Sequence, residues 1–342
     1  MVGFSHLRTF KKFLWDRIKT NSLLDSNGKM FTSACDVAIM IPMIEMAGNR
    51  VHFIEEVLHV YNRDNPLNED KDHLDDQVRC ALEIVRQTPY QIVGLGNQLF
   101  QIAAGVAHAK KMGTNFAVIE GQHHLPLQGN NISTYKDNIL RGVESKPQEA
   151  FGECGLFQEQ DHQYTPIPVF DNVFLMGYFQ SEKYFEDCKE EIAELFSATP
   201  EIQARIDKQY PFLKEEKVVS LHVRRGDYLQ NPDIHPTASP EYYRGALDSI
   251  EDKDRVIVFS DDIAWCRETF DKDFSFSVFE EDYMDLYTMT HCHHHILANS
   301  TFSWWGAWLS NTEGKIIAPK TWFGPNGPQQ TQDIIPERWK RL

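Results

Sequence analysis

The chain lacks several features that would place it in a specialised class of protein. Its six cysteines are scattered and form no C-x-x-C pair, so neither a zinc ribbon nor a redox-active dithiol is indicated. The first twenty residues carry charges throughout, and no window is long and apolar enough for a membrane helix. We therefore expect reduced cysteines, no transmembrane segment and a cytoplasmic location, with peripheral attachment to a membrane left open.

Positive charge is also scarce. The sequence has 50 acidic residues against 34 Lys and Arg, a formal net charge of -16. A nucleic-acid binder needs a basic face, and no stretch supplies one, so nucleic acid is not an expected partner. An anionic small molecule stays compatible, because a few arginines in a cleft create a local field. With 342 residues, 42% of them hydrophobic, the chain can form two or three globular domains.

The most informative stretch runs from Val218 to Tyr228. Its first six residues are mostly β-branched or apolar, which is typical of a buried strand in a parallel sheet. The run ends in HVRRGD, which contains His222, Arg224, Arg225 and Asp227. Open α/β sheets bind ligands beyond the carboxyl ends of their strands, and two arginines there suit a phosphate. The alternative is a surface turn whose arginines pair with acidic neighbours.

Two further apolar runs end in polar residues. Arg255–Ser260 is followed by Asp261 and Asp262, and His295–Ala298 is followed by NSTFSWW, which begins at Asn299. The second pattern predicts a strand, a hydroxyl-rich turn and the N-terminus of a helix, where free N–H groups favour an anion. Strand–helix alternation predicts a parallel, doubly wound sheet, so the three strand ends should meet. We expect a nucleoside diphosphate there, with its guanine edge on Asp261 or Asp262.

A second glycine turn opens the middle of the chain. Ile92–Val93 followed by GLGNQLFQIAAG predicts a strand, a tight turn and an amphipathic helix. The glycines suggest a phosphate loop, but G-x-G-x-x-G would require glycine in place of Leu99. Asn97 and Gln98 at the helix start can cap it or form hydrogen bonds with a polyhydroxyl ligand. Residues 121–170 are expected to have little regular structure, and Ser181 is expected to cap a helix that ends near Phe196.

The histidine run HCHHH at 291–295 raises the hypothesis of a metal site. Adjacent residues of a strand point to opposite faces, so these histidines cannot all converge on one ion, and no metal is predicted. The tryptophans of the NSTFSWW segment raise a similar choice between stacking on a sugar and packing in the core. Core packing is the expectation for most of them.

Four separated segments together resemble the family 11 α-1,2-fucosyltransferases. They are GLGNQLFQIAAG, GYFQSEKYF, LHVRRGDY and ILANSTFSWWGAWLS, in that order, within about residues 90–330. HVRRGD is also similar to the H-x-R-R-x-D motif shared with α-1,6-fucosyltransferases. The resemblance implies an α/β chain of GT-B type with two facing Rossmann-like domains. It further implies GDP-β-L-fucose as donor, inversion at the anomeric carbon, no metal or other cofactor, and a galactose-terminated glycan that accepts fucose on its 2-hydroxyl.

The resemblance carries roles onto particular residues. Arg224 is the expected diphosphate contact, and Asp227 is our candidate base, with orientation of an arginine as its alternative. Glu182 and Asp285 are weaker candidates for the base. The expected donor-binding residues are His222, Arg225, Asp261, Asp262, Ser300, Thr301 and Ser303. The expected acceptor-side residues are Asn97 and Gln98.

Residues 1–90 resemble something else, the carboxyl-terminal end of a family 2-like GT-A glycosyltransferase. The segment CDVAIMIPMIEMAGNRVHFIEEVLHVYNRDNPLN carries the resemblance, and Asp36 falls where a catalytic base can lie. The nucleotide-binding half with its Asp-x-Asp motif would lie upstream of it. We therefore expect an inactive, mostly helical remnant in which Asp36 caps a helix or is solvated.

The expected domains are this truncated tail over 1–90, an acceptor-side Rossmann-like domain over 91–210 and a GDP-fucose-binding one over 211–342. Two alternative functions remain at this point. One is transfer of another GDP-sugar, or O-fucosyl transfer, on the same fold. The other is a nucleotide-sugar-binding module that has lost catalysis.

Overall fold

The computed structural model describes residues 94–119, 135–151, 154–169, 172–310 and 312–342, with short pieces at 18, 23–25, 29–31 and 38–40. The chain forms two compact units, one of residues 1–92 and 124–128 and the other of the remainder. The expectations for residues 1–90, including Asp36 and the helical remnant, and for a strand at Ile92–Val93 lie outside the described residues. The division into 91–210 and 211–342 stays a prediction.

The second unit alternates helices and strands. Its helices are α1 (Leu95–Met112), α2 (Lys189–Leu195), α3 (Pro200–Gln209), α4 (Pro240–Asp248), α5 (Ile263–Thr269), α6 (Asp282–Thr290) and α7 (Thr301–Leu309). Its strands are β1 (Val118–Ile119), β2 (Ser145–Lys146), β3 (Gly155–Gln158), β4 (Val173–Met176), β5 (Val218–Val223), β6 (Arg255–Ser260), β7 (Ser275–Phe276), β8 (His294–Ile296), β9 (Ile316–Ala318) and β10 (Lys340–Arg341).

Six of these strands form one parallel sheet in the order β10-β9-β8-β5-β6-β7. The chain starts in the middle with β5, builds outward through β6 and β7, and then returns to the other side of β5 with β8. This is the doubly wound arrangement, and the expected α/β class with a parallel sheet is confirmed. The direction of winding reverses between β5 and β8, where open α/β sheets hold their ligands.

The centre of the sheet is the part that the sequence predicted best. β5 and β6 have the expected bounds, and all six residues of β5 are buried because helices cover both faces. β8 runs from His294 to Ile296, so it begins one residue and ends two residues earlier than expected. Its pairing with β5 joins Val219 to His294 and Leu221 to Ile296.

The part before β5 departs more from expectation. β3 pairs in parallel with β4 over four residues, so the expectation of little regular structure is wrong there. β3 is largely exposed and does not alternate between buried and exposed residues, which explains why the sequence pattern did not predict a strand there. Ser181 does cap a helical turn by accepting a hydrogen bond from the N–H of Lys183. The expectation of one continuous helix is wrong, because two 3-10 turns precede α2. Phe185 lies between these turns and has an extended φ of −144°.

An aromatic cluster holds α1 against α7. The ring of Phe100 lies 4.4 Å from that of Trp304 and 5.1 Å from that of Trp305, between ring centroids. Both tryptophans are fully buried and Trp308 nearly so, which confirms core packing over sugar stacking. At the start of the two helices, the backbone of Gly96 lies directly on that of Thr301. The helices therefore run side by side with their N-termini at the same end.

The contact at Gly96 gives a first prediction. A Cβ at this position would lie 2.5 Å from the backbone carbon of Thr301, so Gly96→Ala must push α1 away from α7. We expect it to lower the free energy of unfolding by about 1–3 kcal/mol, measured by urea denaturation. Gly245→Ala in α4 is the matched control, because its nearest neighbour would be Cδ2 of Leu342 at 3.7 Å. Equal stability of both variants would contradict the close approach.

Candidate functional site

The site lies where β5 and β8 end side by side. HVRRGD follows β5, the Asn299–Ser303 turn follows β8, and Asp261 follows β6 on the other flank of β5. The first two are joined directly, since the hydroxyl of Tyr228 donates to the carbonyl oxygen of Asn299 at 2.8 Å. The amide of Asn299 in turn donates to the carbonyl oxygens of Pro236 and Trp322. The expected meeting of the strand ends is therefore present in the structure.

Arg224 lies at the middle of this edge between two carboxylates. Its Nη2 is 2.5 Å from Oδ1 of Asp227, and its Nη1 is 3.0 Å from Oδ2 of Asp261. Burial alone would lower the pKa of Arg224, but the charges of Asp261 and Asp227 outweigh it and the pKa is raised. The guanidinium is therefore a fixed cation, and both carboxylates hold its plane in one orientation.

Arg225 is held in a similar way. Its Nε is 3.1 Å from Oδ2 of Asp262, and its guanidinium carbon lies 3.9 Å from the ring centroid of Trp265. Asp262 also caps α5 by accepting from the N–H of Trp265. Asp261 accepts from the N–H of Arg225, and this approach requires Gly226, because a Cβ there would lie 2.5 Å from Oδ2 of Asp261.

These contacts bear on two expectations. Both carboxylates that follow β6 already accept from arginine groups, which favours positioning of the arginines over binding of a guanine edge. The guanine assignment stays a prediction. Asp227 is 8% exposed and paired with Arg224, which favours its alternative role of orienting that arginine over the role of base. The choice for Asp227 also stays a prediction.

The weaker base candidates lie in different surroundings. Glu182 accepts from the indole N–H of Trp308 at 3.0 Å and pairs with Arg338 at 2.5 Å, so it joins the C-terminal segment to the turn after Ser181. Asp285 is half-buried beside the carboxyl end of β7 and accepts from the hydroxyl of Ser277. Burial, and secondarily the charges of Asp282 and Glu281, raise the pKa of Asp285 to about 7.

His222 lies inside the sheet rather than at its edge. It is buried, and its ring centroid is 5.6 Å from that of Phe302 in α7. Burial, reinforced by the charge of Arg224, lowers the pKa of His222 to about 3, so the ring is neutral at physiological pH. Within the part of the chain that the structure describes, its buried Nδ1 has no hydrogen-bond partner. His222 can offer a ligand a hydrogen bond but not a positive charge.

The N-terminus of α7 supplies the anion-binding geometry that the sequence predicted. The hydroxyl of Ser300 caps it by accepting from the N–H of Phe302, and Thr301 is its first residue. Ser303 is turned inward, since its hydroxyl donates to the carbonyl oxygens of Ser300 and Ala298. Of the three hydroxyl residues expected to bind the donor, Ser303 has the least suitable position.

The N-terminus of α1 meets that of α7 at the same place. Gly94 precedes α1 and has no side chain to cap it, while Gly96 lies on the backbone of Thr301. The positive ends of two helix dipoles therefore converge next to the β5–β8 edge, and each offers free backbone N–H groups. The sequence indicated each helix separately but not that they meet.

The N-cap residue of α1 is Gly94, so neither Asn97 nor Gln98 takes that position, which was one of two alternative roles for them. The side-chain oxygen of Asn97 accepts from the amide of Gln180 at 2.8 Å, and Gln98 is buried. One turn later, the amide of Gln101 donates to the carbonyl oxygen of Gly177. These amides connect α1 to the segment that follows β4. Their role toward an acceptor stays a prediction.

A carboxylate that the sequence reasoning missed fixes that same segment. Glu159 accepts from the N–H groups of Tyr178 and Phe179 at 2.7 and 2.8 Å and from the hydroxyl of Tyr184 at 3.0 Å. Phe179 has a positive φ of 53°, which is unfavourable for a bulky residue. Residues in such strained backbone conformations cluster at functional sites. The GYFQ motif alone gave no signal for Glu159, because the two are neighbours only across the β3–β4 pair.

The histidine run lies at the opposite end of the sheet, where β8 begins. Potential ligand atoms of Asp252, His293 and His294 lie within 4.8 Å of one another. However, Nδ1 of His294 accepts from the N–H of Lys315, so the proton of the neutral ring is on Nε2, which faces Asp252 at 3.4 Å. Asp252 also pairs with Lys217 at 2.7 Å. These contacts favour a structural role for the cluster over metal ligation.

Fixed arginines and two helix N-termini at the switch point of a doubly wound sheet are typical of enzymes that bind a diphosphate, such as that of a nucleotide sugar. The chain belongs to glycosyl transferase family 11, whose model matches residues 86–342. This membership supports the GT-B class that the four motifs implied. It also confirms the resemblance on which the site residues were assigned.

Curated relatives cover the same part of the chain. An α-1,2-colitosyltransferase of Escherichia coli is 30% identical over 73% of this chain and 96% of its own length. The O-antigen biosynthesis glycosyltransferase WbnK of Escherichia coli is 27% identical over 70% of this chain and 96% of its own. The galactoside α-(1,2)-fucosyltransferase 2 of Oryctolagus cuniculus is 27% identical over 68% of this chain and 69% of its own length.

Solved structures are more distant. The α-1,6-fucosyltransferase NodZ with GDP superimposes with a TM-score of 0.40 and 14% identity, over 63% of this chain and 88% of that one. POFUT1 with GDP-fucose gives a TM-score of 0.36 and 12% identity, over 66% of this chain and 93% of that one.

In the described part of the chain, no helix has the length and apolar character that crossing a membrane requires. The described cysteines, Cys154, Cys188, Cys266 and Cys292, are free thiols.

The raised pKa of Asp285 predicts a pH dependence of stability. The folded pKa of about 7 exceeds the ordinary value of about 3.9 in the unfolded chain, so the folded state binds a proton that the unfolded state releases. This contribution is complete below about pH 4 and is lost as the pH rises to 7. Allowing for screening by solvent at this half-buried site, we expect a loss of about 1–2 kcal/mol.

Denaturant unfolding at several pH values between 4 and 8 measures this loss. Asp285→Asn removes the ionisation and should flatten the profile over that range, whereas Asp271→Asn, at an exposed carboxylate, should leave it as in the wild type. A difference in stability between Asp285→Asn and the wild type that does not grow between pH 4 and pH 7 would contradict the assignment.

Proposed function

We propose that the protein transfers L-fucose from GDP-β-L-fucose to the 2-hydroxyl of a galactoside at the end of a glycan, with inversion at the anomeric carbon. The observation that carries this proposal is the position of Arg224, fixed by two carboxylates at the β5–β8 switch point. The names of curated relatives support the substrates, since galactoside α-(1,2)-fucosyltransferases are among them.

The mechanism follows from where charge develops. Breaking the bond between sugar and phosphate leaves negative charge on GDP and positive character on the fucose ring. Arg224 and the N-termini of α1 and α7 are preorganised donors for the leaving diphosphate, and no reorganisation is needed at the moment of reaction. Arg225 supports them, and Ser300 and Thr301 provide the turn against which a phosphate oxygen lies. His222, being neutral, contributes at most a hydrogen bond.

The acceptor hydroxyl must lose a proton as it attacks. Asp227 is our candidate for the base, with orientation of Arg224 as the alternative. The two roles predict different effects of Asp227→Asn. If Asp227 is the base, Asp227→Asn should lower kcat while the affinity for GDP is retained, and if it orients Arg224, the affinity for GDP should fall as well.

In this proposal the fixed cations do the work that a divalent ion does in metal-dependent transferases. We expect full activity after treatment with EDTA, because Arg224, Arg225 and two helix dipoles already face the diphosphate. Transfer measured before and after chelation, and after Mg²⁺ or Mn²⁺ is added back, tests this expectation. A strict requirement for a divalent ion would contradict it and would revive the Asp252–His293–His294 cluster as a candidate.

A second donor is favoured by one specific observation, the 30% identity to an α-1,2-colitosyltransferase. Colitose is the 3-deoxy form of L-fucose, so the same diphosphate site could serve either donor. Release of GDP from GDP-fucose and from its 3-deoxy analogue, each with a galactoside acceptor, distinguishes the two. Binding of GDP without release from any donor would leave only a binding module.

Arg224 provides the sharpest test of the proposed site. Arg224→Ala removes a preorganised donor and should lower kcat by about 10²–10³, measured as GDP release in the presence of acceptor. The control is Arg244→Ala in α4, an exposed arginine 3.7 Å from Glu241, which should retain activity. Melting curves show whether each variant is folded. Turnover close to that of the wild type in a folded Arg224→Ala variant would refute the assignment.

A further inference from the structure

Five ring-bearing side chains form a continuous row that begins at the donor site. The guanidinium carbon of Arg224 is 5.5 Å from the ring centroid of Tyr228, which stacks on His235 at 4.8 Å with an interplanar angle of 21°. His235 lies 5.5 Å from Phe323, and Phe323 lies 5.2 Å from His162. His162 stacks on Tyr178 at 5.2 Å and 25°. We call these five residues the ring row.

The ring row joins the two halves that the sequence distinguishes. Tyr228, His235 and Phe323 belong to the part expected to bind the donor, and His162 and Tyr178 to the part expected to bind the acceptor. All five residues are half-buried. The tryptophans of α7, in contrast, are buried and cannot contact a ligand.

The backbone holds the ring row at both ends. On the donor side, the N–H of Gly324 donates to the carbonyl oxygen of Ile234, and that of Asn326 donates to Asp233, which brings Phe323 against His235. On the other side, the carboxylate of Glu159 fixes the N–H groups of Tyr178 and Phe179. The rings are therefore preorganised, as a binding surface for a weakly held ligand requires.

The charge of the row indicates the class of ligand. Burial lowers the pKa of both His162 and His235, so their rings are neutral at physiological pH, and the row contains no acid or amine. A neutral surface of planar rings suits an uncharged ligand with a flat apolar face. A galactopyranoside has such a face, formed by its C–H groups at C3, C4 and C5. A nucleoside diphosphate would instead be drawn to Arg224 and the helix N-termini.

We propose that the ring row is the acceptor subsite, on which the terminal galactose stacks with its apolar face while its 2-hydroxyl points toward Arg224 and the donor. This inference rests on the proposed function and adds the residues that recognise the acceptor. Tyr178, His162 and Phe323 are binding residues, and Glu159 is a positioning residue that acts through the backbone of Tyr178.

The test compares variants that lose the aromatic ring with variants that keep it. Tyr178→Leu and Phe323→Leu remove a ring and should raise the KM for lactose roughly tenfold each, whereas the ring-retaining variants Tyr178→Phe and Phe323→Tyr should change it less than about threefold. The Kd for GDP should be unchanged in all four. The control Phe274→Leu removes a ring stacked on Phe270, outside the row, and should leave the KM for lactose unchanged.

A measurement on the wild type keeps the proposal testable if a leucine variant does not fold. With GDP bound, NMR saturation of aromatic protons should transfer to H3, H4 and H5 of the galactose of lactose more strongly than to its H2. An unchanged KM in both folded leucine variants, or saturation transfer without this preference, would overturn the acceptor subsite. Failure of the wild type to transfer fucose to any galactoside would instead refute the proposed function, so the two failures are distinguishable.

Discussion

The ion pairs of Arg224 are the interaction on which the rest of the site depends. A guanidinium at the end of a buried strand is costly unless its charge is balanced, and Asp227 and Asp261 balance it from two sides. Gly226 is needed for this arrangement, because any side chain there would displace Asp261. The acidic residues that follow β6 thus position the arginines, and pairing of these arginines with acidic neighbours is the alternative that the sequence left open. They convert a flexible cation into a fixed one.

The same edge combines hydrogen-bond donors from three parts of the chain. The arginines come from β5, the capped N-terminus of α7 from the turn after β8, and the second N-terminus from α1 far earlier in the chain. The aromatic cluster around Phe100, Trp304 and Trp305 holds the two helices side by side and so sets the distance between their positive ends. Packing in the core therefore decides the electrostatics at the surface.

The ring row is a neutral surface, and the proposed diphosphate site next to it is a charged one. Charged groups gather at the β5–β8 edge, where the proposed mechanism places the leaving diphosphate, and neutral rings extend from Tyr228 toward Tyr178. Asn299 connects the two surfaces, because its carbonyl oxygen accepts a hydrogen bond from the hydroxyl of Tyr228. A substrate made of a charged donor and an uncharged acceptor matches this division.

The sequence by itself determined the strands β5 and β6, the helix N-terminus after Asn299 and the family. It did so because buried β-branched runs, capping residues and local motifs are properties of neighbouring residues in the chain. Only the tertiary structure decided that Asp261 and Asp262 hold arginines, that Ser303 points inward, that Asn97 faces Gln180 and that α1 meets α7. Each of these depends on groups far apart in the chain, such as Gly96 and Thr301 or Glu159 and Phe179, whose contact no local pattern encodes.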